Sequence, residues 1–211
     1  MTKTNSTQTT GAPTIGGGAP ATPRTPEAAH GCPPSATSGT TPHVIGLDLS
    51  ITATGIAFPS HLSGPGTSTI RPTAKGDERL TEIRNWLAGD IAAADLIVIE
   101  DLPPVRANAI AALGMVHGVI RLACYDHARA FALVPPATLK KYATGKGNAT
   151  KPDMRMALYQ RAGLDLRDDN QVDAWWLRAM GLDALGHPIV TLPKTHRDAI
   201  AKVAWPKAVA R

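Results

Sequence analysis

Four carboxylates stand where they could hold a metal ion: Asp48 and Glu100 each close an apolar run, and Asp169 and Asp173 open a late helical pattern. A carboxylate at the end of an apolar strand is costly to desolvate alone. Several converging ones become favourable when divalent cations neutralise them. Hard cations on oxygen ligands imply phosphate chemistry, so the order strand, strand, helix reads as a metal-dependent nuclease. Asp48 and Glu100 both fall at the carboxyl ends of strands, where open α/β sheets place ligands. Either alone could be a solvent-facing edge residue; two in equivalent positions weaken that reading. Asp101, next to Glu100, points to the opposite face as a turn residue. Asp169 and Asp173, spaced i, i+4, share a helix face. Asp168, Asp169 and Asn170 are equally good N-cap and first-turn residues, so one or two of them serve as caps. Asp173, a full turn inside and followed by Ala174-Trp175-Trp176-Leu177, is the better site residue.

The elements that must position these groups are legible from residue 43 onward. Val44 to Ser50 reads as a strand, Gly55 to Phe58 as its hairpin partner and Ser68 to Arg71 as a third strand. Leu80, Ile83, Leu87 and Ile91 recur at helical spacing from about Asp77 to Ala94. Leu96 to Glu100 is short and β-branched, a buried strand ended by Pro103-Pro104. Ala107 to Arg129 follows as a long apolar helix, with Gly114 and Gly118 one turn apart and expected to pack on the sheet. Phe131 to Val134 is a further strand. Helices are expected over Thr138 to Tyr142, about Pro152 to Ala162 and about Asn170 to Leu185. The pattern predicts an α/β fold, a mixed sheet flanked by helices. Trp175 and Trp176 belong to its core, and His117 and His187 are ordinary packing or surface residues.

Residues 1–42 of the 211 are mostly Thr, Ser, Pro, Gly and Ala, too poor in large apolar side chains to offset ordering entropy, so a disordered tail is expected. Residues 43–190 form one domain, and 191–211 a basic C-terminal extension. No apolar stretch is long enough to span a membrane, and Met1 to Thr10 is polar throughout, which makes the cytoplasm the default location. Cys32 and Cys124 form neither a disulfide framework nor a metal site. The net charge of +5 points only weakly to nucleic acid. Its distribution is more telling: Lys140, Lys141, Lys146, Lys151 and Arg155 are opposed within their stretch only by Asp153, although a solvated basic face has the same signature. Thr144-Gly145-Lys146-Gly147-Asn148 lacks the spacing of a nucleotide-binding phosphate loop, yet its glycines allow backbone amides and an ammonium to approach a phosphodiester.

Taken in order, Gly46-Leu47-Asp48-Leu49-Ser50 with Thr54-Gly55, Ile97-Val98-Ile99-Glu100, Asn108 through Gly114 and Gly118, Pro136-Ala137-Thr138-Leu139-Lys140-Lys141, Gly145 to Lys151, and Asp173-Ala174 resemble the RuvC-type Holliday-junction resolvases. The similarity runs from about residue 43 to 186. It implies an RNase H-like fold, a homodimer, Mg²⁺ dependence with Mn²⁺ as a substitute, and paired nicks across a four-way DNA junction. Two departures stand out. The family carries an acidic residue or histidine where this chain has Asn170, so Asp169 becomes the alternative ligand. Leu102-Pro103-Pro104-Val105 also lacks the aromatic residue usual in that loop.

On this reading Asp48, Glu100, Asp173 and Asp169 or Asn170 hold two cations about 4 Å apart, and Lys146 and Lys151 contact the scissile or adjacent phosphate. Arg106, Asn108, Lys140, Lys141 and Arg155 contribute to DNA binding, the last three by positioning the backbone without reading bases. A nuclease for other branched DNA or an RNA/DNA hybrid, and a junction-binding protein that does not cleave, are the alternatives.

Overall fold

The computed structural model describes residues 41–59, 64–103 and 107–207, apart from the side chains of 107–109. Residues 1–40 of the expected tail, Arg106 and the Asn108 side chain lie outside the described residues. The elements are β1 (Val44–Asp48), β2 (Thr54–Ala57), β3 (Thr67–Ile70), α1 (Glu78–Ala93), β4 (Leu96–Glu100), α2 (Ala107–Asp126), β5 (Ala130–Val134), α3 (Pro136–Thr144), α4 (Lys151–Ala162), α5 (Asp169–Ala184) and α6 (Lys194–Arg197), then a 3-10 turn at Ile200–Lys202.

The strands form one five-stranded sheet in the order β3-β2-β1-β4-β5. β1 and β3 run antiparallel to β2, whereas β1, β4 and β5 are mutually parallel. The parallel strands are buried on both faces, which is why their sequences are continuous apolar runs. Their side chains alternate. Val44, Leu96, Val98, Ala132 and Val134 pack beneath α3, α4 and α5. Ile45, Leu47, Ile97 and Ile99 pack against Ile83, Leu87 and Ile91 of α1 and Val116, Ile120 and Cys124 of α2. By the same period of two, Asp48 and Glu100 belong to the α5 face. The pairing of Leu47 with Ile99 puts those two carboxylates on adjacent strands at the same level.

Several expectations shift in detail. α2 stops at Asp126 rather than Arg129, because Ala128 turns left-handed (φ 51°) and the Arg129 N–H donates to the Cys124 carbonyl at 2.8 Å. α3 begins two residues earlier than expected, at Pro136, which needs no N–H partner in a first helical turn. Gly114 and Gly118 do not pack on the sheet: a side chain at either would meet nothing within 4 Å. They lie on the outer face of α2. Trp175 and Trp176 are in the core as expected.

The basic C-terminal segment is built into the body. Leu192, Ala199 and Val203 are buried in the core beneath α3 to α5. The fully buried Asp183 carboxylate accepts hydrogen bonds from Arg197 Nη2 at 2.6 Å and the Tyr142 hydroxyl at 3.2 Å. Among the described residues no helix is long and apolar enough to cross a membrane.

Candidate metal centre

Strand register brings Asp48 and Glu100 together, and α5 delivers the third carboxylate. Its approach depends on missing side chains. A Cβ on Gly46 of β1 would overlap the Ala174 carbonyl oxygen, and one on Gly55 of β2 would overlap the Asn170 carbonyl. The backbone of α5 therefore lies directly on the sheet, with Asp173 beside Asp48. Asp48, Glu100 and Asp173 each offer a carboxylate oxygen, and the three oxygens lie within 4.8 Å of one another.

The opening turn of α5 is fixed on its other side. Asp168 is the N-cap and accepts the Asn170 N–H at 3.0 Å. Its second oxygen accepts from Thr69 Oγ1 at 2.9 Å and Arg71 Nη2 at 2.7 Å. One turn on, Gln171 bonds Thr67 at 2.9 Å. Strand β3 is thus stitched to the helix that carries Asp173. Burial works against the Asp168 anion, yet the hydrogen bonds from Arg71 and Thr69 prevail and hold its carboxyl below the usual range.

The cluster itself is strained in the opposite sense. Burial, reinforced by the Asp173 charge, pushes the Asp48 carboxyl up to about 7. Burial together with Asp48 and Asp173 pushes Glu100 up to about 8, and the two carboxyls hydrogen bond to each other. Burial, aided by Asp169, raises Asp173 to about 6. Without a cation, Asp48 and Glu100 so placed hold protons up to about neutrality, and Asp173 to about one pH unit below it. Two ammonium groups oppose this: Lys151 acts on Asp48 and Asp173, and Lys140 on Glu100 and Asp173. An all-carboxylate set with a shortage of positive charge is the donor chemistry that a hard divalent cation satisfies.

The remaining candidates fall around this centre. Asp169 is outside the three-carboxylate group; its Oδ2 pairs with Lys151 Nζ at 3.3 Å. Despite some burial, that pairing raises the Lys151 pKa and keeps the ammonium charged. Asn170 sits over Gly55. Lys151 opens α4, whose N-terminus is set by a reciprocal capping box between Thr150 and Asp153. Lys146 is exposed and lies by Asp153, lining a groove with Thr144, Arg161 and His196. Arg155 donates to the Leu166 carbonyl at 2.8 Å and pairs with Asp165 at 3.4 Å. Asp101 lies away from the cluster, toward His117, and its Oδ1 accepts the Leu102 N–H at 2.8 Å.

Sequence reading overlooked Arg71 and Thr69, whose partner Asp168 lies about a hundred residues away in the chain. No local signal marks them. It also passed over the Thr150-x-x-Asp153 capping box and gave no structural role to Gly46 and Gly55. Both had readable signatures, the second being glycine inside a strand.

No protein-family model matches the sequence, and no curated protein matches it. Solved structures do. The Thermus thermophilus RuvC structure superposes with a TM-score of 0.56 at 18% identity, covering 71% of this chain and 99% of that one. T. thermophilus RuvC in complex with a Holliday junction substrate gives 0.56 at 19% identity, covering 65% and 90%. Likeness at this identity is a likeness of fold: the mixed five-stranded sheet with helices on both faces is the RuvC, RNase H-like arrangement expected from the sequence.

Proposed function

We propose that this chain is a divalent-metal-dependent DNA endonuclease that nicks four-way junctions as a homodimer. The observation that carries the reading is the convergence of Asp48, Glu100 and Asp173 within 4.8 Å, on a fold shared with a protein solved in complex with a Holliday junction substrate. Mg²⁺, with Mn²⁺ as a substitute, would bind there in a pair and supply an activated water and charge stabilisation for in-line phosphodiester hydrolysis.

The chain's own groups have separable tasks. Asp48, Glu100 and Asp173 would hold the ions through their converging carboxylates, with Asp48 placed between the charges of the other two. Asp169, one turn before Asp173 and paired with Lys151 at 3.3 Å, or Asn170 would complete the set. Lys151 meets the phosphate at the centre, while Lys140, already within the field of Glu100 and Asp173, flanks it. Lys146 joins Lys151 at the scissile or adjacent phosphate, and Lys141 positions the DNA backbone.

Pairing of two copies is supported by α2. Ala111, Met115, Gly118, Leu122 and Tyr125 recur at spacings of four and three and are all exposed, Leu122 at 59% and Tyr125 at 70%. That is the spacing of a helix-to-helix seam, with small residues that let backbones approach. Two copies joined there carry two metal centres, the number that paired nicks require.

A cleavage panel tests the substrate assignment. Nicking in Mg²⁺ should be strong on a four-way junction and weak on a flap or an RNA/DNA hybrid. Preference for the hybrid would move the chain to another RNase H-like activity, and junction binding without nicking would make it a binding protein.

A further inference from the structure

Helix α4 leaves the metal centre at Lys151, 3.3 Å from Asp169. Four and eight residues on, along the same side of the helix, come Arg155 and Tyr159, about 6 and 12 Å farther down the axis. Beside them lies an open groove of about 360 Å³ lined by Pro152, Arg155, Met156, Tyr159 and Asp165. Met154, Ala157 and Leu158 occupy the core side of α4, whereas Met156 and Tyr159 remain 55% and 59% exposed.

The chemistry of the groove is specific. Its walls are a phenol ring, a thioether and a proline. Its polar rim is the Arg155 guanidinium, anchored through Nε to the Leu166 carbonyl at 2.8 Å, and the Asp165 carboxylate 3.4 Å from Nη2. Asp165 offsets much of the Arg155 charge, which makes this a poor site for a phosphate. Apolar flat walls with donors and an acceptor at the edge suit a planar heterocycle: a nucleobase stacks through its faces and hydrogen bonds through its rim.

Resting on the nuclease reading above, we infer that the α4 groove holds one unpaired base of the bound DNA, stacked on Tyr159. The base is within about four nucleotides of the phosphate at the metal centre, because ~12 Å of helix spans that many steps at ~3.4 Å per stacked nucleotide. The groove thereby fixes the register in which the strand meets the carboxylates.

The test uses four-way junctions carrying 2-aminopurine at single positions on either side of the nick, bound by the full-length protein in EDTA, with nicking of the unlabelled junction in Mg²⁺ measured in parallel. Wild type should quench the fluorophore at one position within about four nucleotides of the nick. Tyr159→Ala should abolish that quench and weaken junction binding roughly tenfold at an unchanged melting temperature, while Tyr159→Phe retains both properties. Wild-type nicking with a quench that Tyr159→Ala preserves, or with unchanged affinity in that variant, overturns the groove assignment and leaves the nuclease reading standing. Failure of wild type to bind or nick any junction overturns both.

Discussion

Strand register holds the buried Asp48 and Glu100 carboxyls together, which raises both pKa values and makes stability depend on pH in a definite direction. Asp48, Glu100 and Asp173 have folded-state pKa values of about 7, about 8 and about 6, all above their ordinary values. Between roughly pH 4 and 8 the folded state therefore binds more protons than the unfolded chain, and stability falls as pH rises through that window. Asp168, Asp153 and Glu82, held low by hydrogen bonds, act only at the acid end and do not offset the trend. Thermal melts of metal-free protein should give a lower midpoint at pH 8.5 than at pH 5.5. Mg²⁺ should raise the midpoint at pH 8.5 and do little at pH 5.5, where protons compete. A flat profile, or one rising with pH, would contradict the clustering. The proposed fourth ligand is tested at the same scale: Asp169→Asn should raise the Mg²⁺ concentration needed for nicking, and Asn170→Asp should leave it unchanged. The reverse ordering assigns that role to position 170.

Among the elements, α5 decides whether a site exists at all, since it is pinned at two places in different ways. Its mid-section rests on Gly46, and its first turn is tied to β3 through Asp168. Gly46→Ala forces a methyl into the Ala174 carbonyl, backbone that cannot rotate away, so a loss of roughly 3 kcal/mol, or on the order of 10 °C in melting temperature, is expected. A calorimetric midpoint within a degree or two of wild type would show that α5 is not seated on the strand. The strands were readable because burial on both faces leaves apolar runs, and the end of each run marked its carboxylate. α5 was readable by its periodicity and cap. Its distance from the sheet was not read, because it is written in absent side chains on β1 and β2. The β3 contacts escaped because Thr69 and Arg71 meet Asp168 only through the tertiary fold. The misplacement of Gly114 and Gly118 has a related cause: glycine spacing shows that something can come close, without saying from which side.

For the whole molecule, the exposed apolar stripe of α2 and the carboxylate cluster are separate features that the proposed function joins. Leu122→Glu puts a charge into the seam without touching the core, so it should leave circular dichroism unchanged while shifting sedimentation from dimer to monomer and uncoupling the two nicks. A monomeric wild type would remove α2 from the account. The most direct measurement is nicking of a four-way junction by wild type and Asp48→Asn across a Mg²⁺ titration, alongside junction affinity in EDTA. On the proposed function the carboxylate serves the metal and the lysines serve the phosphates. The variant should therefore lose nicking at every Mg²⁺ concentration while binding the junction at least as tightly, because a negative charge has left the surface that meets DNA. Nicking by Asp48→Asn at near the wild-type rate would contradict the assignment of this cluster as the catalytic metal centre.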